Sequence, residues 1–124
     1  MSSRRRTAAL SLEKLGRYDE AENDLKSLES SRDESLSALA RFKLAQVYDE
    51  AGKGPEAVQL YQDLTNKPSL FVPKPVVLLA LADHYSGSDP TQAAKLYNQI
   101  KTEFPDTQAA HEADQRLQLL QVKG

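Results

Sequence analysis

The sequence predicts an all-α chain: a short solenoid of three antiparallel helix pairs closed by a seventh helix. Three observations predict it. First, side chains recur at a fixed step. Ala21, Ala57 and Ala93 stand 36 residues apart (57 − 21 and 93 − 57), as do Leu25, Tyr61 and Tyr97; Leu28, Leu64 and Ile100; and Gly16, Gly52 and Ser88. A period of this size marks stacked supersecondary units. Second, apolar residues within each step follow the spacing of one helix face. The stripes are Ala57, Leu60, Tyr61 and Leu64; Ala93, Tyr97, Ile100 and Phe104; and Ala110, Ala113, Leu117 and Leu120. Third, only 5 Gly and 6 Pro occur among 124 residues, while Ala, Leu, Glu, Gln and Lys are plentiful, which favours helix.

Each element has its own punctuation. Helix one is expected from about Ser3 to Leu15, where Gly16 stops it. Helix two runs from about Tyr18 to Ser30, with Asp19 and Glu20 at the positive end of its dipole. Asp33 caps helix three, which reaches about Ala51 before Gly52-Lys53-Gly54 breaks it. Pro55 opens helix four in the first turn, where its missing N–H does no harm, and Asn66-Lys67-Pro68 ends it. Lys67 to Pro75, with three Pro, reads as an extended connector. Helix five spans about Pro75 to Tyr85, ended by Ser86-Gly87-Ser88. Asp89-Pro90 opens helix six, to about Phe104, and Pro105-Asp106 repeats that pattern for helix seven, to about Val122. The units are thus 3–32, 35–68 and 74–105 with a cap at 106–122, forming one domain. The wet face of the cap is Glu112, Gln115, Gln118 and Gln121.

Composition excludes several classes. A net charge of −2 gives no general drive toward nucleic acid. Without Cys there is neither a disulfide framework nor thiol chemistry. The longest apolar run, Val76 to Ala82, falls far short of the ~20 residues that span a bilayer, so no membrane contact is expected of this segment. Met1 to Arg6 is basic, but no apolar stretch follows, which is unlike a signal peptide. Helical periodicity starts almost at once, at Ala8. The expectation is a piece of a longer chain whose other part carries any targeting information.

The residues between the stripes carry a resemblance. Lys14-Leu15-Gly16-Arg17-Tyr18-Asp19-Glu20-Ala21 resembles the helix-turn-helix centre of a tetratricopeptide repeat, as does Tyr48-Asp49-Glu50-Ala51-Gly52-Lys53-Gly54-Pro55-Glu56-Ala57 followed by Leu60-Tyr61-Gln62-Asp63-Leu64. A third copy is Leu79 to Tyr85 with Ala93, Tyr97, Ile100 and the closing Pro105. The likeness covers about Ser3 to Pro105 and implies a right-handed superhelix that binds protein or peptide partners. It is a lengthened version, since the family period is roughly 34 residues. It is also degenerate, with Arg5 and Arg41 at the early aromatic position and His84 in place of a Tyr. Phe71-Val72-Pro73-Lys74-Pro75 and the run Ile100 to Ala110 further resemble tetratricopeptide-type proteins of the bacterial envelope. These include the ancillary subunit of the SecYEG translocon and outer-membrane assembly lipoproteins. This favours a periplasmic setting with an N-terminal anchor elsewhere in the parent protein.

Catalytic signals are sparse. His84 and His111 lack the spacing of a helical zinc pair; His84 reads as a packed core residue and His111 as solvent-facing. Asp83 beside His84 suggests an acid–base pair, but no nucleophile pattern accompanies it. Adjacent acids such as Asp49-Glu50 point in different directions on a helix. Neither an enzyme, a cofactor nor a metal is expected. Arg4-Arg5-Arg6 is either a contact for phosphate or an acidic partner, or a solvated first turn. The resemblance places partner-binding groove positions on Arg6, Leu10 and Glu13 in unit one, on Phe42, Gln46 and Asp49 in unit two, and on Leu78, Ala82 and Tyr85 in unit three. Phe42 and Tyr85 are the candidate anchors, or else both pack within the superhelix. Two further readings stand beside a binding scaffold: a self-associating structural module, and an accessory domain of a larger enzyme or regulator.

Overall fold

A computed structural model describes the backbone of residues 2–123 and the side chains of residues 16–120. Among these residues there are six helices and no strand: α1 (Ser2–Glu29), α2 (Glu34–Glu50), α3 (Gly54–Asn66), α4 (Lys74–Tyr85), α5 (Pro90–Glu103) and α6 (Gln108–Lys123). Each helix packs on the next, and α4 also touches α6. This is an all-α solenoid of tetratricopeptide type, with α2–α3 and α4–α5 as its complete helix pairs.

The expected caps form in the second and third units. The Asp33 carboxylate accepts from the backbone N–H groups of Ser35 and Leu36 at 3.0 and 3.2 Å. Asp89 does the same for Gln92 at 3.2 Å, and Pro55, Pro75 and Pro90 all occupy first-turn positions. Beyond α2 the chain reverses through Gly52 at φ 80°, a left-handed conformation that suits glycine. The connector between α3 and α4 is pinned at Val72, which is buried while Leu70 and Phe71 are exposed. Ser69 fixes it by donating its N–H to the Val72 carbonyl and accepting the Val72 N–H on its hydroxyl.

The stripes of the second helices form the centre of the core. Ala57 and Ala93 are fully buried, and Tyr61, Tyr97, Leu64 and Ile100 are at most 2% exposed. The small residue lets the neighbouring helix come close, and the aromatic a turn later fills the space that opens beside it. Ala110, Ala113 and Leu117 repeat the pattern on α6.

Two expectations fail. The repeat predicts a break at Gly16, but α1 runs through it as one helix. Gly16 is not among the positive-φ glycines. Its neighbours Leu15 and Arg17 accept a helix, whereas Gly52 is reinforced by Gly54 and Pro55. One glycine in a helix is tolerated for about 1 kcal/mol. A continuous helix cannot fold its first half back over its second, so the unit-one stripe loses its cover. Leu28 is 43% exposed, where its counterparts Leu64 and Ile100 are 1% and 0%. The second failure is at the last helix, which opens later than Pro105-Asp106. Thr107 is the residue that caps it, its hydroxyl accepting the Ala110 N–H at 3.1 Å, and Pro105 and Asp106 lie in the preceding turn.

Two glycines at one repeat position should therefore respond in opposite ways. Neither has an atom within 4 Å of an added Cβ, so only backbone preference decides. Gly52→Ala should destabilise by about 1–2 kcal/mol, and Gly16→Ala should stabilise by about 0.5–1 kcal/mol. Urea midpoints report both; a destabilised Gly16→Ala variant would argue for a turn there.

Candidate functional site

Between the first helices of the second and third units lies an open cleft of about 400 Å³. Gln46, Asp49 and Glu50 of α2 form one wall, Ala80 and Asp83 of α4 the other, and Tyr61 of α3 lies between them. Three carboxylates thus share a depression whose other described lining residues are neutral.

Two of these carboxylates already have partners. Asp49 Oδ1 lies 2.6 Å from His84 Nδ1; a carboxylate only accepts, which places the ring proton on Nδ1. The same imidazole lies close over Gly54, where an added Cβ would come 3.3 Å from Cε1. His84 therefore ties α4 to the end of α2 and the start of α3. Asp83 Oδ1 accepts from the Tyr97 hydroxyl at 2.5 Å, and its Oδ2 lies 3.1 Å from Arg116 Nη1. One residue of α4 thereby joins α5 and α6. Burial pushes the Asp83 carboxyl above its ordinary range, while the Tyr97 hydrogen bond and the Arg116 charge pull it back.

Tyr61 differs from its repeat counterpart. It is 2% exposed, lines the cleft, and its hydroxyl has no hydrogen-bond partner among the described residues. Tyr97 finds its acceptor 14 residues earlier, at Asp83; the residue 14 before Tyr61 is Val47. The second unit keeps the tyrosine and has replaced its acceptor. Burial and the nearby charges of Asp49, Asp83 and Glu50 all raise the Tyr61 phenol well above its ordinary value, so the hydroxyl stays neutral.

The nine groove positions fall into separate groups. The side chains of Arg6, Leu10 and Glu13, and the Arg4-Arg5-Arg6 cluster, lie outside the described residues. Gln46 and Asp49 line the cleft. Phe42 is half-buried and meets the Tyr61 ring edge-on, with centroids 6.0 Å apart. Tyr85 is half-buried against His84 at 5.2 Å. Leu78 and Ala82 belong to the buried core, and α4 instead presents Ala80 and Asp83. Asp83 and His84 face different partners and form no acid–base pair. His84 is packed as expected but also polar in role, and His111 is exposed. Among the described residues no group of three His, Cys, Asp or Glu is placed to hold a metal ion.

Sequence reading missed four of the cleft residues: Glu50, Tyr61, Ala80 and Asp83. For Tyr61 the signal was present, as the loss of an acceptor at Val47 where the next unit has Asp83. A second polar knot was also missed. Glu22 of α1 accepts from the Tyr48 hydroxyl at 3.1 Å and from Lys53 Nζ at 3.3 Å, and pairs with Lys26 at 3.0 Å. The Lys26 hydrogen bond leads the lowering of the Glu22 carboxyl, with burial opposing.

The two tyrosines give a paired prediction. Tyr97→Phe removes a made hydrogen bond and should destabilise by about 1 kcal/mol, whereas Tyr61→Phe removes a cleft-facing hydroxyl with no partner among the described residues and should be close to neutral. Thermal or urea denaturation of both variants measures the contrast; equal losses would mean that Tyr61 has a partner.

Comparison with known proteins agrees with the architecture. One family profile described as Tetratricopeptide repeat matches residues 6–70, and a second with the same description matches residues 77–107. No curated protein and no solved structure matches the sequence. The first profile alone spans more than half of the chain and the second meets the α4–α5 pair, so the chain belongs to the tetratricopeptide repeat family of protein–protein interaction modules.

Proposed function

We propose that the chain is a non-catalytic binding scaffold that takes a peptide, a helix or a folded partner through the face between α2 and α4, as part of a bacterial envelope protein. The observation that carries the binding reading is the cleft itself. It lies between the first helices of successive units, has polar walls, and presents the Tyr61 hydroxyl, which has no partner among the described residues. Half-buried Phe42 stands beside it against Tyr61. The envelope setting rests on the likeness of Phe71 to Pro75 and of Ile100 to Ala110 to such proteins. No helix among the described residues is long and apolar enough to cross a membrane. Any tether would be supplied from outside them, and a periplasmic location fits that arrangement. Fusing alkaline phosphatase to the natural gene product tests the setting, because the enzyme matures only outside the cytoplasm; an inactive fusion would count against it.

A photo-crosslinking residue placed at Gln46 should trap the partner, whereas one at Gln62, exposed on α3, should not. With the trapped protein purified, Phe42→Ala should weaken binding about tenfold, or ~1.4 kcal/mol, with helical content by circular dichroism unchanged. Adducts from Gln62 but not from Gln46 would place binding on the other face.

A second reading, self-association, is favoured by one observation. The unit-one stripe is only partly covered, with Ala21 and Leu25 half-buried and Leu28 exposed, where the same stripe is closed in the other two units. A second copy would cover it. Light scattering should then show a dimer that Leu28→Asp dissociates, and a monomer across the concentration range would exclude it.

A further inference from the structure

We infer that the cleft between α2 and α4 accepts a lysine or arginine side chain of the partner, held by the Asp49 and Glu50 carboxylates and by the oxygen of the Tyr61 hydroxyl. The inference rests on the groove reading above and adds the chemistry of the occupant.

Three observations carry it. The first is charge. Asp49, Glu50 and Asp83 line one depression of about 400 Å³, and among the described residues no lysine or arginine lines it with them. Both Asp83 oxygens are taken, by Tyr97 and Arg116. Asp49 has one oxygen committed to His84, which leaves the other, and Glu50 is exposed with no partner among the described residues. The unspent acceptors are therefore on adjacent residues of the α2 wall.

The second observation is the Tyr61 hydroxyl. It is held in a nearly fully buried residue, faces the cleft, and has no partner. The ring is buried while the hydroxyl reaches the accessible surface of the cleft, and a ligand N–H would satisfy its lone pairs. Lysine ammonium and arginine guanidinium carry only donors, three and five respectively. A ligand made only of donors matches a site made almost only of acceptors. A carboxylate or phosphate would meet the like charges of Asp49 and Glu50.

The third observation separates an organic cation from a metal ion. The carboxylates share the cleft without converging into a metal-holding group. A side chain several ångströms long can reach acceptors spread along a wall, and a small ion cannot.

The test titrates the full chain with N-acetyl-arginine methylamide and, as control, N-acetyl-glutamate methylamide, following backbone amide resonances. The arginine probe should shift Gln46, Asp49, Glu50, Ala80 and Asp83 with roughly millimolar affinity, and the glutamate probe should not. Glu50→Lys, at an exposed position, should weaken the arginine probe about three- to fivefold. Raising NaCl from ~50 to ~500 mM should weaken it too. Tyr61→Phe should lose affinity with no loss of stability, a combination that a purely structural role would not give. Equal shifts from both probes, or indifference to Glu50→Lys, would overturn the inference. A trapped partner that is sensitive to Phe42→Ala but insensitive to Glu50→Lys would overturn it while leaving the groove reading in place.

Discussion

The structure depends on one spatial requirement: each second helix must present a residue no larger than alanine where its neighbour crosses, and a long side chain one turn later. Ala57 with Tyr61 and Ala93 with Tyr97 meet it twice, and all four are buried. Dense interiors tolerate little change in volume, so these positions are fixed to within a methyl group. The caps, the left-handed turn at Gly52 and the prolines at helix starts serve to bring the stripes into register. Where register is not imposed, at Gly16, the stripe of the first unit is left only partly covered.

That same requirement explains why the chemistry lies elsewhere. Residues that repeat are committed to packing. Asp49, Glu50 and Gln46 do not repeat: one period on, their places hold Tyr85, Ser86 and Ala82. The cleft is thus a local departure from a regular scaffold. Tyr61 joins the two layers, its ring serving the repeated core and its hydroxyl the local site.

Much of this was legible in the sequence, for physical reasons. The stripes of α3, α5 and α6 were readable because burial imposes a helix period. The caps at Asp33 and Asp89 were readable because a short acceptor before an apolar run satisfies free N–H groups. Gly16 was not, since a lone glycine between helix-compatible residues signals a turn only weakly, and the periodicity argued for more than the local sequence supports. Leu78 and Ala82 were assigned to a surface by family position, whereas α4 is buried along that side. The contact of His84 with Asp49 spans 35 residues, and no local pattern announces it. Gln46 and Asp49 were named as groove positions by the resemblance, but their convergence with Tyr61 and Asp83 in one cleft needed three helices in place.

The helix-by-helix packing also has a kinetic consequence. Every helix finds its principal partners among its nearest neighbours in the chain, and the longest reach between helices of any extent is from α4 to α6. Contacts so short in sequence demand little loop closure, and domains of this type fold quickly. In such a linear array the interfaces add nearly one by one, and ordering can begin at any adjacent pair and spread. The α4–α5–α6 end, tied through Asp83, is the best candidate for the nucleus. The α1 end, held to α2 through Glu22 and an incomplete stripe, would join last and open first.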